Sequence, residues 1–202
     1  MNECSWLAEL TTPVETKFRK TYKCKKNSLQ CKINSLPQKF IDFVDLMHHE
    51  RIISLMNKDA CCQMLDNYLL SLVYLYFLRA KLKKSEFTLM NFFLFLYIAH
   101  DVEEDEEDNK HEILPWLFGD SWRERMPIFM NRKHELLAKR LEYNLFFTPT
   151  EIDDVMLYFS SSTIVHLFRD TEHFHAMRYY KKIEIESKDK GDNEDTKYGI
   201  FN

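Results

Sequence analysis

Few side chains in this sequence are spaced for chemistry, and each has a bland rival. Cys61 and Cys62 are adjacent. At the start of a helix their thiols would be acidified toward the reactive thiolate; otherwise they pack as small apolar groups. Asp108 and His111 have the separation used in carboxylate-bridged metal sites, but they lie in an acidic run, and no second such motif falls on an apolar helix face. His134-Glu135 lacks the second histidine of a zinc-protease helix. His173 and His175 have no cysteine or carboxylate partners at zinc spacing, and Cys24 and Cys31 are not paired closely enough for a zinc knuckle. Glycine-rich phosphate loops, nucleophile elbows and kinase signatures are missing. These residues describe a chain without catalytic, cofactor or metal residues.

The elements that would position any site must be helical. Glycine occurs 3 times and proline 5 times in 202 residues, against roughly fourteen and ten from average usage. Sheets with many tight turns need residues that tolerate positive φ, and here almost none are supplied. The 45% hydrophobic and 14% aromatic content is enough for one core and excludes a wholly disordered chain. Five cysteines, odd in number and including a vicinal pair, suit a reduced compartment. No apolar run reaches the roughly 20 residues of a membrane span, and the N-terminus is not built as a secretory signal. The expectation is a nuclear or cytoplasmic protein, neither secreted nor membrane-embedded.

Charge is balanced at −4 overall but unevenly distributed. Lys17, Arg19, Lys20, Lys23, Lys25 and Lys26 make a basic cluster, and Asp101 and Glu103 through Asp108 an acidic block. Residues 1–35 show no sustained period and read as a mobile basic arm, for which nucleic acid is not the expected partner. Phe40, Phe43, Val44 and Met47 follow helical spacing after Pro37, and Ile52, Ile53 and Leu55 extend that helix or form a second. Asp59 is placed to cap a helix from Ala60 to about Ala80, apolar around most of its circumference and therefore central. Ser85 would cap the next, ending near His100. The acidic block should be a solvated helix end or loop, and His111 to Asp120 an aromatic-anchored surface connector. Ser121-Trp122-Arg123-Glu124 reads as a capping box for a helix to about Glu142, with Pro127 in its first turns. Thr150-Glu151-Ile152-Asp153 resembles another helix start, with Val155, Met156 and Phe159 on one face. The domain is expected at 36–160, and 161–202 as an irregular, largely disordered tail.

Several short motifs resemble the Speedy/RINGO family. They are Asp59-Ala60-Cys61-Cys62, Asp66-Asn67-Tyr68-Leu69-Leu70, Tyr76-Phe77-Leu78-Arg79-Ala80-Lys81, Asn91-Phe92-Phe93 and Leu96-Tyr97-Ile98-Ala99. Val102-Glu103-Glu104-Asp105-Glu106-Glu107, followed by Glu112-Ile113-Leu114-Pro115-Trp116, Gly119 and Trp122, is the strongest segment. Order and spacing agree over 57–122, with a weaker likeness from about 36 to 147. The sequence departs from the pattern at Ala60, where a cysteine is usual, and at Asn67 and Asp120, where lysines are usual.

The resemblance implies an all-α, single cyclin-box-like domain that binds and activates a cyclin-dependent kinase as a heterodimer. It implies that the kinase's activation loop is ordered without phosphorylation, that the protein is itself no enzyme, and that it serves the cell cycle and meiosis in the nucleus. By the same resemblance, Asp66 corresponds to an aspartate contacting an activation-loop arginine and Asp59 to one needed for kinase binding. Read from the residues alone, Asp59 is a helix cap and Asp66 a solvated face residue. Tyr76 is core or interface, and Arg140 matches a family arginine or is a surface ion-pair partner. Glu103, Glu104, Asp105, Glu106 and Glu107 either steer association with a basic kinase surface or solubilise a loop. The rival reading is a divergent kinase-binding adaptor that does not activate; no small-molecule substrate or membrane is expected.

Overall fold

The computed structural model describes residues 3–13, 37–59, 62–104 and 107–161. The basic cluster, His173, His175 and the C-terminal segment lie outside the described residues. Regular structure is helical, and the only β-type pairing among the described residues is an isolated bridge between Pro13 and Thr88.

One helix among the described residues precedes the expected domain. The α1 helix, Glu3–Thr11, corrects the reading of 1–35 as an arm for residues 3–13. Leu10 is buried against the core, and the hydroxyls of Thr11 and Thr12 turn back to Leu7 O and Ala8 O. The α2 helix, Gln38–Met47, begins after an extended Pro37 and buries Phe40, Phe43, Val44 and Met47, as the spacing requires. The apolar residues that follow form a separate helix, α3, Glu50–Lys58, because His49 interrupts with an extended backbone and accepts a cap bond from Arg51 N.

The centre is an antiparallel pair, α4 (Asn67–Arg79) and α5 (Leu89–Glu103). Tyr68 at the start of α4 bonds Glu103 at the end of α5, and Phe77 near the end of α4 meets Phe87 just before α5. Residues 69–77 of α4 are all buried, which places this helix at the centre as its apolar circumference predicts. Its start is seven residues later than expected, because the capping carboxylate is Asp66, not Asp59. Likewise Thr88, not Ser85, caps α5: its hydroxyl accepts from Asn91 N, while Ser85 sits in a 3₁₀ turn. The α5 helix continues past His100 to Glu103.

Between them the chain closes α4 with a left-handed residue. Lys81, at φ 52°, lets Leu82 N reach Phe77 O and its own N–H reach Leu78 O, a Schellman closure made without glycine.

Segment 107–118 corrects the expected connector: it is a helix, α6, Glu107–Phe118. Ile113, Leu114, Leu117 and Phe118 supply an apolar face, and Pro115 is tolerated because it lies on the exposed side. Gly119, at φ +62°, stops this helix. The next helix, α7, Trp122–Leu136, passes through Pro127 and yields to a π turn at Leu137–Leu141. The expected capping box at its start does not form. Ser121 leaves a 3₁₀ turn with a non-extended backbone and donates to Phe118 O.

The last described helix, α8, Pro149–Ser161, starts two residues earlier than the expected cap implied. Thr148 and Glu151 form the box: Thr148 N and Oγ1 each donate to Glu151 Oε2 at 2.8 Å, and Glu151 N returns to Thr148 Oγ1. Val155, Met156 and Phe159 face inward as expected. Phe43 joins the layers, its ring 5.2 Å from both Tyr74 and Phe77 and 6.1 Å from both Phe92 and Phe159. Thus α2, α4, α5 and α8 share one aromatic core.

Candidate functional site

Asp59 ends α3, and its buried carboxylate gathers the following loop. Oδ1 accepts from Gln63 N at 2.8 Å, and Oδ2 from Met64 N at 2.9 Å and Leu65 N at 2.8 Å. A carboxylate is suited to this task because it is all acceptor, with lone pairs for several amides. Cys62 is left-handed at φ 53°, which lets the loop reverse, and its thiol is buried well before the helix begins. That fits the packing role rather than a reactive thiol at a helix N-terminus; the Cys61 side chain lies outside the described residues.

Asp66 then opens α4. Its backbone is extended, and Oδ1 accepts from Leu69 N at 2.7 Å. The residue is 0% exposed, so the reading of it as a solvated face residue is corrected: it stands ahead of the first turn and points inward. From the other side, His100 Nε2 bonds Met64 O at 2.7 Å. The carbonyl can only accept, so Nε2 carries the proton. Residues 62–66 are therefore held by Asp59, Asp66 and His100 together.

The end of α5 completes this region. Glu103 and Glu104 are half-buried, and Tyr68 Oη donates to Glu103 Oε2 at 3.1 Å. Asp101 is paired with Lys110 at 3.3 Å and Lys133 at 2.7 Å, which ties α5 to α6 and α7. Asp105, Glu106 and the side chain of Glu107 lie outside the described residues. The structure brings Asp59, Asp66, Glu103 and Glu104 to one end of the molecule.

It leaves Arg140 apart, and of Tyr76 only the buried hydroxyl comes within electrostatic reach of that end. Tyr76 is buried on α4, stacked on Phe95, and its hydroxyl donates to Leu145 O at 3.0 Å. Burial, with Glu103 adding to it, pushes that phenol's pKa well up, so it stays a donor. Arg140 is exposed and ion-paired with Glu86, just ahead of α5. The length of α5 separates that pair from Glu103 by roughly 20 Å at 1.5 Å per residue. Beside it, Arg79 Nη1 reaches Asn144 O and Oδ1 at 3.1 Å and Phe146 O at 2.8 Å, with its guanidinium 3.5 Å over the Phe147 ring.

Sequence reasoning missed His100 and Arg79 as positioning residues. The available signal was a polar group standing directly after each long apolar run. Among the described residues no group of three or more His, Cys, Asp or Glu could hold a metal ion, and no helix is long and apolar enough to cross a membrane. At the acidic end, Asp59 and Asp66 are occupied by backbone amides, and Glu103 and Glu104 are the half-buried carboxylates.

The comparisons with known proteins agree on one family. A family model described as Spy1, cell cycle regulatory protein, matches residues 38–169, further toward the C-terminus than the likeness read from the sequence. Speedy protein A of Rattus norvegicus is 36% identical over 148 residues, 73% of this chain and 47% of that protein. Speedy protein C of Homo sapiens is 42% identical over 97 residues, 48% of this chain and 35% of that protein. The chain thus spans half or less of the length of these curated relatives. With the family model covering well over half of it, this helical chain belongs to the Speedy/RINGO family of cell cycle regulatory proteins.

Proposed function

We propose that the protein binds a cyclin-dependent kinase and stabilises its active conformation, without catalysing a reaction itself. Family membership supports this reading, and so does the acidic end, where one fixed loop and one helix terminus put Asp59, Asp66, Glu103 and Glu104 together. A kinase becomes competent when its regulatory helix and activation loop are ordered. An activator that binds the ordered state more tightly shifts that population toward activity. Carboxylates at this end would take part of the role that an activation-loop phosphate has for arginines. In the free chain Asp66 is enclosed, so an arginine would meet it only as loop 62–66 opens or as the guanidinium enters beside it. Nuclear action in the cell cycle belongs to the same proposal.

Asp66→Asn tests it, because asparagine can keep the capping bond to Leu69 N while the negative charge is removed. Added to a kinase whose activation-loop threonine is replaced by alanine, the wild-type chain should raise histone phosphorylation. The variant should bind less and activate less, and its melting temperature, read alongside, separates a lost contact from a loosened loop. Binding without activation by the wild type would make the protein an adaptor, and equal activation by both would remove Asp66 from the mechanism.

A further inference from the structure

We propose that Thr148 is a phosphorylation site for a proline-directed serine/threonine kinase, and that its phosphate tightens the junction between loop 142–148 and α8. Two of the five prolines follow threonine, in Thr12-Pro13 and Thr148-Pro149. A following proline holds its own φ and biases the residue before it to the extended conformation that a kinase cleft takes up. Both threonines are exposed. Their helices set them apart.

Thr12 follows the C-terminal end of α1, where its hydroxyl donates to Ala8 O at 2.6 Å. A phosphate there would lose that bond and face the negative pole of the helix. Thr148 stands at the opposite kind of terminus, on the positive pole of α8, with Oγ1 already accepting from Glu151 N. In the transfer, Oγ1 attacks the γ-phosphorus of ATP and a new O–P bond forms. The bond from that phosphorus to the β,γ-bridging oxygen breaks and ADP leaves. The hydroxyl proton passes to the kinase's catalytic carboxylate and then to water.

The product repels the Glu151 carboxylate, which is exposed and swings into solvent. The phosphate inherits the helix-terminal amides, worth more to a dianion than to a hydroxyl. A cation is at hand as well. Arg79 is bound to Phe146 O and stacked on Phe147, the residue before Thr148. After the two hydrogen bonds from Thr148, the Arg79 charge also helps hold the Glu151 carboxyl below its usual range. This inference is independent of the kinase-activating role.

The test incubates the whole chain with ATP and a purified proline-directed kinase of the mitogen-activated type. Phosphosites are mapped by mass spectrometry for wild type, Thr12→Ala, Thr148→Ala and Pro149→Ala. Thr148 should carry the phosphate in wild type and Thr12→Ala, and Pro149→Ala should fall to the level of Thr148→Ala. The phosphorylated wild type should melt about 2–4 °C higher, and in Arg79→Gln phosphorylation should bring a smaller rise. An unmodified Thr148 in the folded chain would overturn the proposal, whether or not a peptide of residues 143–155 is modified. A phosphate at Thr148 that leaves the melting temperature unchanged or lowers it would overturn it too.

Discussion

The two ends of the α4–α5 pair are built on opposite plans. At the acidic end, Asp59 and Asp66 fold their own neighbourhood, accepting amide hydrogens three to six residues away. At the other end, Tyr76 and Arg79 hold a loop that lies 65 to 69 residues further along the chain. The first plan yields a rigid site from a short stretch of sequence, while the second depends on α7 and α8 being in place. An aspartate matched by family resemblance to kinase binding can therefore also be a folding residue, and a substitution that abolishes binding there is not by itself evidence of contact.

Asp59→Asn should expose that dual role most strongly. The amide turns a donor toward backbone donors that need an acceptor, at a cost of about 3 kcal/mol of stability. Urea unfolding would register it, and a value near zero would show that residues 62–66 do not depend on this carboxylate. Arg79→Ala should cost about 2 kcal/mol through the lost charged hydrogen bonds to Asn144 and Phe146 and the lost ring contact. Hydrogen exchange should show protection falling at 143–148 and holding at 62–69; loosening at both ends would break the contrast. Lys81→Gly should stabilise by about 1 kcal/mol, because glycine takes φ 52° without strain, and thermal melting would show the rise. Asp66→Asn should cost less than Asp59→Asn, about 1 kcal/mol, since the capping bond to Leu69 N survives. A large loss there would put Asp66 in the same class as Asp59.

Much of the fold was legible because α4 and α5 are long apolar runs that only burial explains. Their starting points were not, since Asp59 and Asp66 are equally good caps on paper, and only the second precedes an amide it can reach in a continuing helix. The α6 helix was misread because Pro115, Trp116 and Gly119 are turn-like residues, although Ile113, Leu114, Leu117 and Phe118 already carried a helical face. The box at Thr148 was passed over for Thr150, two residues on. Of the candidate site, the Asp59, Asp66 and Glu103 grouping could be anticipated from family likeness. The contacts of Tyr76 and Arg140 could not, because their partners, Leu145 and Glu86, are 69 and 54 residues away. Nothing in local spacing encodes such pairings.

The aromatic core shared by α2, α4, α5 and α8 also bears on synthesis. The α4–α5 pair has its contacts close in sequence and can form as soon as it leaves the ribosome, whereas Phe159 closes the core against Phe40 and Phe43 only after α8 has emerged. At ordinary elongation rates that interval is on the order of a few seconds. During it, the faces of the Phe40, Phe43 and Tyr74 rings that Phe159 covers are left without their partner, and a nascent chain stalled before α8 would present them to chaperones.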